Sequence, residues 1–205
     1  MKISYGILVC DENEEFQNLI DFLLKYKDDE DEIVVLQDTD NVTEEVMAIC
    51  NNYSNYINVY SNPLNKNFAQ QKNFLNSKCN GDYIFNIDSD EIFTEGVLEI
   101  IRQIIDSNQD TDLFYLPRVN IVNGITEDYI RKMRWNIDIN GYINYPDYQS
   151  RIYRNCYYIE WKGNVHETIS GFKNYSMIPV NCGYDILHIK DFVKQVKQNN
   201  LYQTI

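Results

Sequence analysis

The sequence lacks the patterns that mark several large classes of protein. No CxxC pair and no Cys/His cluster is present, which argues against a zinc site or a disulfide framework and is typical of a reducing cytoplasm. No run of about 18 apolar residues occurs, so we expect no membrane-spanning helix. The apolar start, MKISYGILVC, is too short for a signal peptide. The cysteines are odd in number and scattered: Cys10, Cys50, Cys79, Cys156 and Cys182.

Positive charge is also scarce. The chain has 18 lysines and arginines against 31 aspartates and glutamates, a formal net charge of −13. Such a surface disfavours nucleic acid, whose non-specific binding depends on basic side chains at the phosphates, and it disfavours anionic lipid. An anionic ligand would therefore need a local device that offsets the repulsion, and a divalent cation is the simplest one.

The first half of the chain alternates strand and helix patterns. We predict strands over Ile3–Cys10, Ile33–Gln37, Ile57–Ser61 and Asp82–Ile87. Apolar residues at helical spacing predict helices between and after them, with starts at Asn13, Thr43, Phe68 and Thr94. Short connections between such elements indicate right-handed βαβ units and a mainly parallel sheet.

The second half has a different character. The pairs Asn123-Gly124 and Asn140-Gly141 predict hairpins, QSRIYR, YYIEW and YDILHI read as strands, and a last helix begins near Asp191. No Pro/Gly/Ser linker separates the halves. We therefore predict one domain over residues 1–205, an α/β sheet flanked by helices with an α+β C-terminal extension.

Polar clusters follow three of the predicted strands. In a parallel sheet, ligands bind beyond the carboxyl ends of the strands, near the point where the strand order reverses. The clusters fall at such ends: Asp11 with Glu12, Asp38 with Asp40, and Asp88 with Asp90.

The cluster in GDYIFNIDSDEIF can be interpreted in several ways. An EF-hand loop needs a glycine and a glutamate at positions where this segment has neither. Asp88 and Asp90 are two residues apart, so their side chains should lean to one side of the strand. That arrangement suits binding of one cation better than acid–base catalysis, in which two carboxylates lie on opposite sides of a bond. Mg²⁺ and Mn²⁺ prefer such oxygen ligands. A turn or helix cap is the alternative, and Glu91 is expected to point towards the next helix.

These segments resemble a family 2 glycosyltransferase of the GT-A fold. The resemblance lies in ILVCDENE, VVLQDTDNVTEE and, most specifically, NFAQQKNFLNSKCNGDYIFNIDSDEIF; QSRIYR, WKGNVHE and ILHI extend it to nearly the whole chain. It implies a GT-A-type Rossmann-like mixed sheet with a nucleotide-sugar half (1–110) and an acceptor half (111–205). It also implies transfer of a sugar from a nucleoside-diphosphate sugar, with UDP expected, and inversion at the anomeric carbon.

Several roles follow from the resemblance. Asp38 and the groups of Cys10, Asp11 and Glu12 would contact the nucleobase. Lys72 and Asn73 would face the nucleotide, in a position where the family usually has Arg-Asn; lysine keeps the charge and loses the bidentate fork. Asp88 would lie near the ribose and the metal, and Asp90 would bind Mn²⁺ or Mg²⁺ directly, which would stabilise the leaving diphosphate.

The acceptor side offers candidates for the remaining roles. An acceptor hydroxyl needs a general base, for which we favour Glu167, with Asp128 and Asp138 as alternatives. His166 or His188 would bind the metal or the diphosphate, or serve only structure. Arg151 and Arg154 alternate along one strand and are expected on one face, where both would reach phosphate or, alternatively, surface carboxylates.

Three other functions fit part of the sequence. A nucleotidyltransferase acting on sugar phosphates also combines paired carboxylates with Mg²⁺, but ILVCDENEEF lacks the glycine-rich basic loop expected of one. A non-catalytic sugar- or calcium-binding module would bind no nucleotide, and a degenerate transferase would only hydrolyse its donor. A saccharide, a lipid-linked molecule and a protein are all open as acceptors.

Overall fold

The computed structural model describes residues 1–180 and 182–202, except for the side chains of residues 201 and 202. Strands and helices alternate through the first half, and strands dominate the second. The strands are β1 Ile3–Val9, β2 Glu32–Asp38, β3 Asn58–Asn62, β4 Tyr83–Asp88, β5 Glu91–Ile92, β6 Leu113–Asn123, β7 Ile143–Arg154, β8 Glu160–Lys162, β9 Thr168–Ser170, β10 Tyr175–Met177 and β11 Ile186–Asp191. The helices are α1 Asn13–Tyr26, α2 Glu44–Asn52, α3 Phe68–Asn76, α4 Val97–Ser107, α5 Glu127–Met133 and α6 Phe192–Tyr202.

One mixed sheet joins both halves of the chain. Its strand order is β3-β2-β1-β4-β7-β6-β11-β5, with β10 beside β6, while β8 and β9 form a separate hairpin. The neighbours β1 to β4 run parallel. The chain moves outward from β1 to β3 and then returns to place β4 on the other side of β1. The strand order therefore reverses between β1 and β4, which is where such sheets bind ligands.

The later strands extend the sheet beyond β4. Strand β7 is antiparallel to β4 and to β6, and β11 runs parallel to β6. The short β5, which begins at Glu91, pairs with β11 so that Glu91 lies opposite His188. Residues from the two halves of the sequence consequently meet directly after the Asp88–Asp90 segment.

Apolar residues cover both faces of the sheet. One core includes Phe16, Leu23, Phe85, Val97 and Ile101, from α1, β4 and α4. The other lies under α3 and the β8–β9 hairpin, with the fully buried residues Leu75, Ile84 and Tyr153 among its members. Burial on both faces explains why β1, β2 and β4 read as nearly continuous apolar runs.

The first-half elements match their predicted positions to within a few residues. Thr43 caps α2 by accepting a hydrogen bond from Val46 N, as predicted. The predicted start at Thr94 is wrong, because Thr94 Oγ1 donates to the carbonyl of Gly183 and α4 begins at Val97.

One of the two predicted hairpins is also wrong. Gly124, at φ 76°, leads from β6 towards α5, so Asn123-Gly124 does not join two paired strands directly. The second pair does form a tight turn: Gly141 N donates to the carbonyl of Asp138 at 3.0 Å, next to a bridge between Ile137 and Ile143.

In the described part of the chain, the helices are too short or too polar to cross a bilayer.

We predict that Gly81→Ala destabilises the protein by about 1–3 kcal/mol, the usual cost of overpacking. A β-carbon at Gly81 would lie 2.6 Å from the backbone nitrogen of Ser4, and the main chain at that point is fixed between β1 and β4. The free energy of unfolding in urea measures the effect. Asn80→Ala, at the exposed neighbouring residue, is the control and should change stability by less than about 0.5 kcal/mol. Equal stability of Gly81→Ala and the parent would contradict the close approach.

Candidate active site

The carboxyl ends of β1 and β4 bring the first carboxylates together. Leu8 lies beside Asp88 in the parallel register, so the segment Cys10–Glu12 follows directly next to the Asp88–Asp90 turn. Asp38 ends the neighbouring β2. The polar clusters that the sequence placed on separate strands therefore share one edge of the sheet, which we call the carboxylate edge.

Arg151 is the buried centre of this edge. Its side chain, on β7, is 3% exposed, and Nη2 donates to both Asp88 Oδ2 and Glu91 Oε1. Arg118 Nη1 adds a contact of 3.5 Å to Glu91 Oε1. Glu91 Oε2 in turn accepts a hydrogen bond from the backbone nitrogen of Asp88 at 3.2 Å. The expectation that Glu91 points towards the next helix is wrong, because this fully buried carboxylate turns inward to the two arginines.

The ionisation of this cluster follows from its pairing. Burial alone would raise the pKa of Asp88, but Arg151, Lys72 and Arg118 hold that pKa well below its usual range. Burial would likewise lower the pKa of Arg151, and the carboxylates of Asp88 and Glu91 raise it instead. Asp88 and Arg151 are therefore both charged, and Asp88 is largely neutralised by protein groups.

Asp90 has different partners. Its Oδ2 lies 2.9 Å from Lys190 Nζ and 3.5 Å from His188 Nε2, both on β11. Burial would raise the pKa of Asp90, but Lys190 and, when its ring is protonated, His188 lower it overall. Asp88 and Asp90 thus do not lean to one side as expected, because residues 89 and 90 form a turn that breaks the strand alternation.

His188 is held from behind by a chain of polar groups. Its Nδ1 lies 2.8 Å from Asn120 Oδ1, and Asn120 Nδ2 donates to Asp147 Oδ2 at 2.8 Å. Arg118 Nη2 donates to the same Asp147 oxygen at 2.8 Å. The imidazole is therefore oriented with Nε2 towards Asp90.

The residues that were predicted to contact the nucleobase lie at the other end of the carboxylate edge. Asp38 Oδ1 accepts hydrogen bonds from the backbone of Asp40 and Leu64, so Asp38 also shapes the loops around it. Burial, Asp11 and Glu12 raise the pKa of the Cys10 thiol to about 12, which leaves it protonated at neutral pH. Burial and then Asp90 raise the pKa of Glu12. The repulsion between Glu12 and Asp90 is one that a bound cation would relieve.

Lys72 connects this edge to the loop between β8 and β9. Its Nζ lies 2.6 Å from Glu167 Oε1 and 4.3 Å from the centre of the Trp161 ring. The side chains of Lys72 and Glu167 are 7% and 14% exposed. The charge of Lys72 also lowers the pKa of Asp88, so Lys72 acts on both Glu167 and the carboxylate edge.

Asn73 and Arg154 do not lie where they were expected. Both ends of the Asn73 amide bind the backbone of Trp161, at 2.8 and 2.9 Å, so Asn73 anchors β8 rather than facing a nucleotide. Arg154 lies opposite Tyr83 at the amino end of β4 and binds Asp112 at 3.1 Å. Residues three apart on a strand point to opposite faces, so the prediction that Arg151 and Arg154 share a face is wrong.

The alternative bases and the first histidine lie in exposed segments. Asp128 is 91% exposed and pairs with Arg131 in α5. Asp138 Oδ1 accepts hydrogen bonds from the backbone nitrogens of residues 140 and 142 within the turn. His166 is exposed beside Glu167, at φ 54°.

Asp90 and His188 fit a divalent cation whose coordination a bound ligand would complete. Within residues 1–180 and 182–200, no group of three or more His, Cys, Asp and Glu side chains is arranged around a metal position. Asp90 and His188 nevertheless place an oxygen and a nitrogen 3.5 Å apart. Mg²⁺-like ions are commonly held by one or two protein ligands with phosphates and water. The imidazole nitrogen favours Mn²⁺ over Mg²⁺.

Lys190, Asn120, Asp147 and Arg118 are site residues that sequence reasoning missed. A signal existed for Lys190, since it stands two residues after His188 on the same strand and must share its face. The other three lie on β6 and β7, and only the pairing of those strands brings them to the site.

Comparisons with known proteins identify the family and the fold. The family model described as Glycosyl transferase family 2 matches residues 4–178. Among curated proteins no sequence is significantly similar. The resemblance stated from the sequence and the GT-A-type fold class are both confirmed by the family match and by solved structures.

Three solved structures show the fold at low sequence identity. The 1–349 fragment of S. aureus TarS in complex with UDP-GlcNAc has a TM-score of 0.65 at 16% identity, over 93% of this chain and 59% of that one. The same fragment in complex with UDP has a TM-score of 0.64 at 18% identity, over 92% of this chain and 60% of that one. The mannosyltransferase PcManGT from Pyrobaculum calidifontis, in complex with GDP-Man and Mn²⁺, has a TM-score of 0.50 at 10% identity, over 57% of this chain and 35% of that one. The chain thus spans about 60% of the TarS fragment.

We predict that Arg151→Met lowers the free energy of unfolding by about 3–5 kcal/mol at neutral pH, because it leaves buried carboxylates unpaired. Their pKa values would then rise above those of the unfolded chain, so the variant should gain stability as the pH falls from about 7 to 5. Asp88 contributes no such gain in the parent, since its lowered pKa makes its contribution constant at these pH values and lost only in stronger acid, so the gain should be larger in the variant.

Urea unfolding at several pH values measures both effects. Arg154→Met, on the same strand but with a side chain 32% exposed, is the control and should cost about 1 kcal/mol or less. Equal losses at the two positions would contradict a buried centre at Arg151.

Proposed function

The chain belongs to glycosyl transferase family 2, and from that premise we propose that it transfers a sugar from a nucleoside-diphosphate sugar to an acceptor hydroxyl. One observation carries the proposal: the facing pair Asp90 and His188, 3.5 Å apart at the sheet edge where the strand order reverses. The ligands in the similar structures, UDP-GlcNAc, UDP and GDP-Man, support a nucleotide sugar as donor. We favour a UDP-sugar because TarS matches over more of the chain.

Each part of the donor has a place on the carboxylate edge in this proposal. The nucleobase lies over the ends of β1 and β2, near Cys10, Asp11, Glu12 and Asp38. The ribose lies near Asp88. Arg151 binds Oδ2 of this carboxylate, and Oδ1 can accept a hydrogen bond from a ribose hydroxyl. The diphosphate lies towards Asp90 and β11. Arg151 is thereby a buried support for Asp88, in place of the phosphate contact first expected.

A divalent cation, Mn²⁺ or Mg²⁺, bound by Asp90 and His188 would act as a Lewis acid on the departing diphosphate. Lys190 balances the charge of Asp90 from 2.9 Å. A lysine ammonium has three donors, so Lys190 can also contact a phosphate oxygen beside Asp90. Both features let an acidic protein hold an anionic donor.

Glu167 is the proposed general base. It lies on the β8–β9 loop, and the ion pair of 2.6 Å with Lys72 keeps its carboxylate in one position. Asp138 is occupied by its turn and Asp128 by Arg131. A base that accepts the proton of an acceptor hydroxyl opposite the leaving diphosphate would invert the anomeric carbon, and we propose inversion on that ground.

The location and the domain division are proposals as well. All five cysteines are free, which supports a reducing compartment, and we propose the cytoplasm. Residues 1–110 supply the proposed donor contacts of β1, β2 and β4, and residues 111–205 supply Glu167 and His188, in line with a donor half and an acceptor half of one domain.

We expect Asp90→Asn to weaken binding of UDP and UDP-GlcNAc in the presence of Mn²⁺ by about 100-fold, since a direct ligand should matter at least as much as an outer one. Isothermal titration calorimetry with and without Mn²⁺ measures this, with GDP-mannose as a second donor. Asp110→Asn, an exposed residue, is the matched control and should bind as the parent does. An Asp90→Asn variant with parental Mn²⁺-dependent affinity would refute the proposed cation site.

Glu167→Gln should lower the rate of UDP release from UDP-GlcNAc by about 10²- to 10⁴-fold, the usual contribution of a general base. Donor affinity should be retained, because the substitution keeps the shape of the side chain and Glu167 is not among the proposed donor contacts of β1, β2 and β4. The assay follows UDP, with water or with any acceptor that accelerates its release. Release of pyrophosphate instead of UDP would indicate a nucleotidyltransferase.

The matched control is Glu160→Gln in the same hairpin, whose side chain is 52% exposed; it should release UDP at the parental rate. A Glu167→Gln variant with an unchanged rate would exclude Glu167 as the base. Failure of the parent to bind UDP or UDP-GlcNAc, with or without Mn²⁺, would indicate a non-catalytic sugar- or calcium-binding module.

A further inference from the structure

The polar chain behind His188 determines which nitrogen of its ring carries the proton. It runs from Asp147 through Asn120 to His188 and ends at Asp90, with separations of 2.8, 2.8 and 3.5 Å. Every link joins side chains of different strands: β7, β6, β11 and the turn after β4. Each hydrogen bond in this chain fixes which atom donates and which accepts in the next one.

Asp147 fixes the orientation of the Asn120 amide. Its Oδ2 accepts from Arg118 Nε at 3.0 Å and Nη2 at 2.8 Å, and its Oδ1 accepts from Gln149 Nε2 at 2.8 Å. A carboxylate surrounded by such donors is ionised and can only accept. Asn120 must therefore turn its NH₂ group, Nδ2, towards Asp147, and the reverse orientation would place an amide oxygen against a carboxylate.

The Asn120 oxygen in turn fixes the proton on His188. Oδ1 carries no hydrogen, so at 2.8 Å from Nδ1 it can only accept a hydrogen bond. Nδ1 therefore carries the ring proton. In the neutral imidazole the remaining nitrogen, Nε2, then holds a lone pair and faces Asp90 Oδ2.

Two lone-pair atoms that face each other at 3.5 Å do not bind one another, but they can share one cation. We propose that Asn120, held by Asp147, is a positioning residue that fixes the Nδ1–H tautomer of His188 and so presents Nε2 to the cation that Asp90 binds. The inference rests on the proposed metal-dependent function, because it concerns the second ligand of that site. Histidine ligands in proteins are commonly oriented by such an outer partner.

The tautomer is measurable in the metal-free protein. The chain has only two histidines, so long-range ¹H–¹⁵N correlation spectra of the ¹⁵N-labelled chain contain two rings, and His166→Asn assigns them. At about pH 8 we expect the ring of His188 to carry its proton on Nδ1 alone, because Asn120 Oδ1 accepts from that atom. A proton on Nε2, alone or together with one on Nδ1, overturns the inference whatever the protein does with a donor.

Binding of Mn²⁺ supplies the second measurement. Asn120→Leu keeps the approximate size of the side chain and removes the acceptor. We expect its Mn²⁺ dissociation constant, measured by calorimetry with UDP present, to rise about 10- to 100-fold, and the proton to move to Nε2, where Asp90 accepts it. Gln149→Leu removes another amide donor from Asp147 without touching the chain to His188, and it should leave both the tautomer and the affinity unchanged.

The outcomes separate the inference from the proposed function. Tight Mn²⁺ binding by the parent and by Asn120→Leu alike overturns the role of Asn120 and leaves the metal site standing. No Mn²⁺ binding by the parent, with or without UDP, overturns the proposed metal dependence and the inference with it. Loss of affinity in Asn120→Leu together with the change of tautomer supports the inference, because a purely structural loss would not move the ring proton.

Discussion

Like charges crowded at one sheet edge are the constraint from which the rest of the site follows. The strand order places Asp88, Asp90 and Glu91 at the point of reversal, and Glu12 adds a fourth carboxylate from β1. In a partly dry environment such groups cannot all remain ionised without counter-charges. The second half of the chain supplies those counter-charges, with Arg118 from β6, Arg151 from β7 and Lys190 from β11.

The two aspartates of the motif acquire different tasks from their surroundings. The end of β4 carries Asp88 towards β7, where a fully buried arginine binds it. The following turn carries Asp90 towards β11, where a lysine and an imidazole face it at the surface of the cleft. Arg151 is too enclosed to exchange partners easily, whereas Lys190 lies on a strand that borders solvent. A cation can therefore compete with Lys190 for Asp90, but it cannot readily displace Arg151 from Asp88.

Local patterns were sufficient for the first half of the fold and insufficient for the second. Apolar periodicity located α1 and β4 closely, because βαβ units are built from neighbours in sequence. The antiparallel pairing of β6 with β7 joins residues on either side of α5, and no local signal reports it. The Asn123-Gly124 hairpin was predicted from turn chemistry alone, while the structure uses that turn to enter a helix.

The same limit applies to the site. Asp90 and His188 could be predicted one by one, since residue type and strand ends indicate ligands. Their pairing could not, nor could the inward turn of Glu91, because both depend on the register of β5 against β11. Arg154 shows the opposite case: the alternation of a strand already separates it from Arg151, and the prediction that the two share a face overlooked this.

Net charge gives little information about the potential at a site of this kind. The whole chain is strongly acidic, yet Lys72, Arg118, Arg151 and Lys190 all lie on or beside the carboxylate edge. Farther out, Lys194 of α6 pairs with Glu15 at 2.6 Å. The basic residues are few, and this edge concentrates them. Because each already balances a carboxylate, the edge has little positive charge left for an anionic ligand, and negative charge remains in excess near Glu12 and Asp90. That is the place where a cation would add the missing charge, so donor and cation should bind there cooperatively.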